Sequence, residues 1–311
     1  TGMKLDTAGN VVVTGVTDSP DFKTAVGSYD VTANGQTDAF VAKFDKTLSK
    51  LLFATYIGGD STDKANAITI DVVSNSIFIA GETTSTNLPT TPGSWKPTYS
   101  GGGDAFAAKF NANGTSLLYC TYVGGSKDDR ALGICVEDAG KATICGETNS
   151  SNFPTSGATA YQKGLSGKYD AFVTKLRTNG TGIEFSTYFG GYADDRANAI
   201  DCDRGGTIIC FGGETKGGFD SLFPCGSTYW DPFKYLGYNG KFNAGNFSEA
   251  FFCRMSSSGS FGDYQKNFST YLGDSKNDRI LSICILPNTD ILLGGETEGG
   301  NGTKGFPSSS G

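Results

Sequence analysis

The chain has 311 residues, of which 45 are glycine, 22 phenylalanine and 14 tyrosine, with two methionines. That mix favours many short strands joined by tight turns and disfavours helical bundles. A net charge of −7, scattered basic residues and a total lack of histidine remove the usual footing for nucleic-acid binding, for Ser-His or Cys-His catalysis and for a zinc site.

In chain order, the first strand with a clear signature is "VVVTGVT", ending at Thr17, followed by "DAFVAKF" from Asp38. Next comes "ATYIGGDSTDKA", which runs into the apolar stretch "ANAITIDVVSN". The same series then returns. "IFIAGET", "ATICGET", "ICFGGET" and "ILLGGET" follow the first of these strands; "DAFAAKF", "DAFVTKL" and "EAFFCRM" follow the second. "CTYVGGSKDDRA", "STYFGGYADDRA" and "STYLGDSKNDRI" repeat the glycine-acid-base stretch, and "ALGICVEDAGK", "ANAIDCDRGG" and "ILSICILPNTD" the strand beyond it. Thr17, Thr83, Thr148 and Thr215 mark a period of about 66 residues. Each unit offers four short strands with hairpin turns, the composition of a propeller blade. No apolar run reaches the roughly 18 residues of a membrane span.

The succession "YFGG-x-x-DDRA-x-AI … G-x-T … NFPT … DAFV-x-K … STY-x-GG" resembles the SBBP β-propeller repeat, a family named for seven-bladed propellers. The resemblance implies an all-β propeller and an extracellular or cell-surface setting. It carries no catalytic residues to transfer. "EAFFCR", "LGDS" and Val16 depart from the pattern. About four and a half units are present, and residues 1–311 read as one propeller-repeat domain, incomplete at both ends. Both ends contribute strands one and two and cannot complete each other, so either further sequence or a neighbouring molecule is expected to supply the complementary strands, the second by strand addition between chains. The start at Thr1 reads as a mature product or a fragment.

Four sets of recurring residues are candidates for chemistry. Asp63-Lys64, Asp129-Arg130, Asp195-Arg196 and Asp278-Arg279, with Asp128 and Asp194, suggest calcium but lack its D-x-D-x-D-G loop. The favoured reading is structural: the Asp caps backbone N–H groups and the Arg bridges to an adjoining blade. The Gly58-Gly59, Gly124-Gly125 and Gly190-Gly191 pairs point to a positive φ or a close backbone approach. Glu82, Glu147, Glu214 and Glu296 suggest a channel ring for a cation or, less favoured, a carboxylate-based glycoside hydrolase site. Asp38, Asp104, Asp170 and Glu249 sit where backbone N–H groups need acceptors, and the aromatic residues beside them read as core: Phe40, Phe106, Phe172, Phe251, Tyr56, Tyr122, Tyr188 and Tyr271.

The long connection 216–248 breaks the period and holds Tyr229, Trp230, Phe233, Tyr235 and Tyr238, which suit stacking on glycans or anchoring a protein, or else form a cap. Sequons at Asn113, Asn149, Asn179, Asn246, Asn267 and Asn301 are candidate N-glycosylation sites. Eight cysteines suggest disulfides in an oxidising compartment, with Cys135–Cys145 and Cys202–Cys210 as hairpin-spanning pairs. The expected function is a non-catalytic extracellular or cell-surface structural and interaction protein, a subunit of a larger, filament-forming assembly. The expected partners are itself, other surface proteins or glycans, with no nucleic acid, no cofactor and no metal. Glycan adhesion through 216–248 and carbohydrate-active enzymology are the alternatives.

Overall fold

The computed structural model describes residues 2–156, 160–216, 247–258, 268–272 and 276–298. Among them no helix is present and 18 strands are. The first sheet is β1 (Gly2–Leu5), β2 (Val11–Thr17), β3 (Asp38–Phe44) and β4 (Leu51–Ile57), hydrogen-bonded in that order. The second is β5 (Asp63–Ile70), β6 (Ile77–Thr83), β7 (Asp104–Phe110) and β8 (Leu117–Val123). The third comprises β9 (Asp129–Val136), β10 (Ala142–Thr148), β11 (Asp170–Leu176) and β12 (Ile183–Phe189). The fourth comprises β13 (Asp195–Cys202), β14 (Ile208–Thr215), β15 (Glu249–Ser256) and β16 (Phe268–Leu272). A final pair, β17 (Asp278–Ile285) and β18 (Ile291–Thr297), stands as a two-stranded sheet.

The strand assignments follow the sequence pattern closely, with one correction. Residues at the start of the chain form β1, which pairs with β2 from Gly2↔Thr14 to Leu5↔Val11. The first sheet therefore has all four strands, and the expectation of an incomplete blade at both ends fails there. Only the β17–β18 sheet has strands one and two alone among the described residues.

The chain divides into two compact units. One comprises Thr1–Ile144, Ser150–Pro154 and Thr174–Glu184; the other comprises Cys145–Asn149, Thr155–Val173 and Phe185–Gly311. In the first unit the core joins the facing sides of the first and second sheets, with Val12, Val41, Ile57, Ile68, Ile79 and Phe106 in one cluster. The second unit packs Cys210, Ala250, Phe252, Leu272 and Ile280 together. Central strands such as β6 are buried on both faces, which is why they read as continuous apolar runs without alternation.

Strands β5, β13 and β17 also carry a bulge, between Ala65 and Ala67, between Ala197 and Ala199, and between Ile280 and Ser282. The bulge re-aims the extra side chain. Asn66 Nδ2 thereby donates to the Ala131 carbonyl, and Asn198 Nδ2 to the Ile280 carbonyl, each at 3.0 Å in the sheet that follows.

The two expected disulfides do not form. Asp201 pairs with Cys210 across the β13–β14 hairpin, while Cys202 pairs with Ile209. One residue of offset puts the two sulfurs on opposite faces of the sheet. Cys135 and Cys145 are both buried without a bond between them, and Cys145 Sγ donates to the Ala197 carbonyl at 3.5 Å. No disulfide links the described cysteines.

Candidate functional site

Where one sheet meets the next, a strand-three acid and a strand-one acid come together. The strand-one aspartate first ties the sheets through its backbone. Asp63 N–H donates to the Thr37 carbonyl, Asp129 to Gly103, Asp195 to Tyr169 and Asp278 to Ser248, at 2.6 to 2.9 Å. Its side chain then caps the turn that precedes it. Asp63 Oδ2 accepts from Gly59 N–H at 2.8 Å and from Ser85 Oγ at 2.7 Å. Asp129 Oδ2 does the same with Gly125 at 2.7 Å and Ser150 at 2.9 Å, and Asp195 Oδ2 with Gly191 at 2.7 Å. The capping role expected of these aspartates is therefore present at all three joints.

The strand-three acids accept from backbone as expected. Asp38 Oδ2 receives Asn34 N–H at 2.8 Å, Asp104 Oδ2 receives Ser100 at 2.8 Å, and Asp170 Oδ2 receives Ser166 at 2.9 Å. Between the two acids lies the first glycine of each pair. A Cβ on Gly58 would fall 2.1 Å from Asp38 Oδ1 and 2.8 Å from Asp63 Oδ2. On Gly124 it would fall 2.4 Å from Asp104 Oδ1, and on Gly190 2.7 Å from Asp195 Oδ2. These glycines are required by close approach and not by a positive φ.

The acids of these pairs are at most 1% exposed. Oδ1 of Asp38, Asp63, Asp104 and Asp195 has no hydrogen-bond partner. Burial raises the pKa of Asp38, Asp63, Asp104 and Asp170, and raises that of Asp195 to about 8. Neighbouring acids add to this at Asp195, where Asp170 and Asp194 oppose ionisation.

The four glutamates are not an open ring of carboxylates, because each is paired with a base. Glu82 lies 2.9 Å from Lys64 on its own sheet and 2.8 Å from Arg130 on the next. Glu147 meets Arg196 at 2.8 Å, and Arg196 reaches Glu214 at 3.8 Å. Arg279 Nε meets Glu296 at 2.9 Å within the last sheet. Arg130 and Arg196 thus bridge to carboxylates of adjoining sheets, as the structural reading required, whereas Lys64 and Arg279 pair within their own sheets. The arrangement neutralises the charges that a channel cation site or a glycosidase pair would use. Among the described residues no three His, Cys, Asp or Glu side chains are grouped to hold a metal ion.

The repeated aromatics occupy the core. Tyr56, Tyr122, Tyr188, Phe106, Phe172 and Phe251 are fully buried, while Phe40 and Tyr271 are half-buried. Tyr122 Oη accepts from Leu88 N–H at 2.9 Å and donates to the Ser85 carbonyl at 2.8 Å, so its polar end pins the strand-two-to-three connection. Two sets of residues escaped the sequence reading. The lysine of "DAFVAKF" is a buried partner for the acid at the strand-one turn: Lys43 pairs with Asp6 and Lys175 with Glu137, both at 2.8 Å. Although burial opposes ionisation, Lys43 and Asn10 hold Asp6 at about 2. The fixed register of that lysine against Asp6, Asp71 and Glu137 was the signal. Position 30, with its counterparts Lys96 and Gln162, was the second set.

Asn113, Asn179 and their threonines are exposed, with Thr115 and Thr181 hydroxyls donating to the asparagine Oδ1 atoms at 3.0 and 2.7 Å. Asn149 is half-buried. Asn246, Asn267, Asn301 and the aromatic group Tyr229, Trp230, Phe233, Tyr235 and Tyr238 lie outside the described residues.

No curated protein matches the chain. Residues 52–89, which carry most of β4, the first joint and the β5–β6 hairpin, match the family model of the SBBP beta-propeller repeat. That match covers one repeat, and it is set among four-stranded antiparallel sheets of one repeating pattern, consistent with SBBP-type β-propeller repeats.

Proposed function

We propose that the chain is a non-catalytic structural and interaction protein at the cell surface or outside the cell, assembled with neighbours that complete its last sheet. The observation carrying this is the β17–β18 pair. In the second and fourth sheets, strand two is hydrogen-bonded along its length to an acidic-Ala-Phe strand three, as in Ile77↔Phe110 through Thr83↔Asp104. In the last sheet the described residues contain no such strand, and Leu281 and Leu292 are exposed. A strand edge that no described strand covers, beside apolar side chains, favours strand addition from another chain. The engagement of the repeated acids in caps and ion pairs supports a non-catalytic role, and the exposed Asn113 and Asn179 sequons support a glycosylated, extracellular setting.

Sedimentation and electron microscopy of the purified chain test the reading. Concentration-dependent polymers that Leu292→Lys dissolves are the expected result. A wild-type chain that stays a monodisperse monomer at high concentration overturns it.

A further inference from the structure

Two apolar sheet faces are left uncovered, one on the first sheet and one on the last, and the packing of the first two sheets shows what such faces meet. On β5, Ile68 and Ile70 pair with Ile79 and Ile77, and all four are buried in one cluster with Val12 of the first sheet. The same register on β1 and β2 is held by Met3 and Leu5, paired with Val13 and Val11. No described sheet covers these four. Met3 and Leu5 are 64% and 61% exposed, and Val11 and Val13 are half-buried. The counterpart of the Val12 knob is Leu292. Val12 pairs with Lys4 next to the Leu5↔Val11 pair, and Leu292 pairs with Cys284 next to Ile285↔Ile291. Val12 is wholly buried, whereas Leu292 and Cys284 are both exposed.

The turn between strands three and four decides what can cover the first sheet. In the second and third sheets this turn carries Gly114 and Gly180, each at a φ of +68° and each donating its N–H to the carbonyl three residues back, Asn111 or Arg177. A Cβ on Gly114 would run into the Phe53 ring, and one on Gly180 would fall 2.6 Å from the Tyr119 ring. Both rings stand on strand four of the preceding sheet. In the first sheet the place belongs to Leu48, which bonds to Asp45 in the same way at a φ of +58° and is exposed. A leucine is unusual in that backbone region, and its side chain fills the space that a preceding strand-four ring would need. The outer half of the face is therefore closed to a complete four-stranded sheet, while the inner half, β1 and β2, stays open. A sheet of strands one and two alone satisfies both conditions, and β17–β18 is such a sheet among the described residues.

We propose that Met3, Leu5, Val11 and Val13 dock the Leu292 face of β17–β18 from a second copy of the chain, head to tail. The inference rests on the assembly reading above and adds to it a face-to-face contact that does not use the β18 edge. Each copy carries one face of each kind, so the contact repeats from copy to copy and takes apolar side chains of both out of water.

Cys284, across from Leu292 on the docking face, supplies the probe. Leu5→Cys is oxidised with glutathione disulfide, and the products are followed by non-reducing electrophoresis and peptide mapping. A ladder of chains joined between the introduced thiol and Cys284 is expected, and Cys284→Ser in the same chain should abolish it. In sedimentation of the reduced proteins, Met3→Lys and Leu5→Lys should each raise the concentration of half-assembly about tenfold or more. Both side chains are exposed, so the melting temperature should stay in place. A wild-type chain that remains a monomer overturns both this contact and the assembly reading. Polymers that persist unchanged in Met3→Lys and Leu5→Lys overturn the contact alone. A missing crosslink to Cys284 overturns it too, as does one confined to single chains, since the chain's own last sheet then covers the face.

Discussion

The β5–β6 and β17–β18 hairpins share one pattern and part company in burial. Both run from an Asp↔Thr pair through a base↔Glu pair to a bulge, and both carry a G-E-T ending. Ile77, Phe78 and Ile79 are nevertheless wholly buried, whereas Leu292, which matches Phe78, is 56% exposed. The interior of such a hairpin is thus made by neighbouring strands and sheets, not by its own sequence. Its stability should depend on that neighbourhood in proportion.

The most severe way to break the comparison is Phe78→Ala, which should cost about 3–5 kcal/mol, against less than about 0.5 kcal/mol for Leu292→Ala. Denaturant midpoints of the two variants measure the gap. Next comes the pH dependence of a buried joint. Asp195, raised to about 8 by burial, holds a proton in the fold that the unfolded chain gives up above its ordinary value of 3.8. Stability should therefore fall as pH rises from about 4 to about 8 and level off beyond. Asp195→Asn should flatten that limb of a pH series of unfolding curves while keeping an acceptor for Gly191.

Gly58→Ala should destabilise by about 1–3 kcal/mol, because its methyl would press on the carboxylates of two sheets. Gly294→Ala in the last sheet should cost less, since the contact there is the Ser282 hydroxyl, which can rotate away. Melting temperatures of the two alanine variants rank them. The smallest contrast is between Arg130→Ala and Arg279→Ala. The first breaks a pair between sheets and should cost about 0.5–1 kcal/mol; the second breaks an exposed pair within one hairpin and should fall near zero.

The strands and their period were legible because each repeat places the same residue types at the same register. The role of the aspartates was legible too, since a capping acid four residues after a glycine pair is local chemistry. The disulfides were not. Cys202 and Cys210 lie close along a hairpin, but a register shift of one residue decides which face each occupies. Nor was the fate of Glu82 and Glu147, because their partners Arg130 and Arg196 lie 48 and 49 residues away on another sheet. Position 30 stayed hidden for a different reason: Asp30, Lys96 and Gln162 share a place in the backbone and nothing in their side-chain chemistry.

The acid–glycine–acid contact has a consequence for anyone who would lengthen or shorten the array. The sequence repeat and the sheet begin at the same strand, yet the contact pairs an acid from one sheet with an acid and a glycine bracketing the boundary. A splice made at 58–63 would separate partners that were fitted to each other. The same splice made in the 71–76 turn, inside a hairpin, carries every such contact across whole. Grafted or permuted arrays should be cut there.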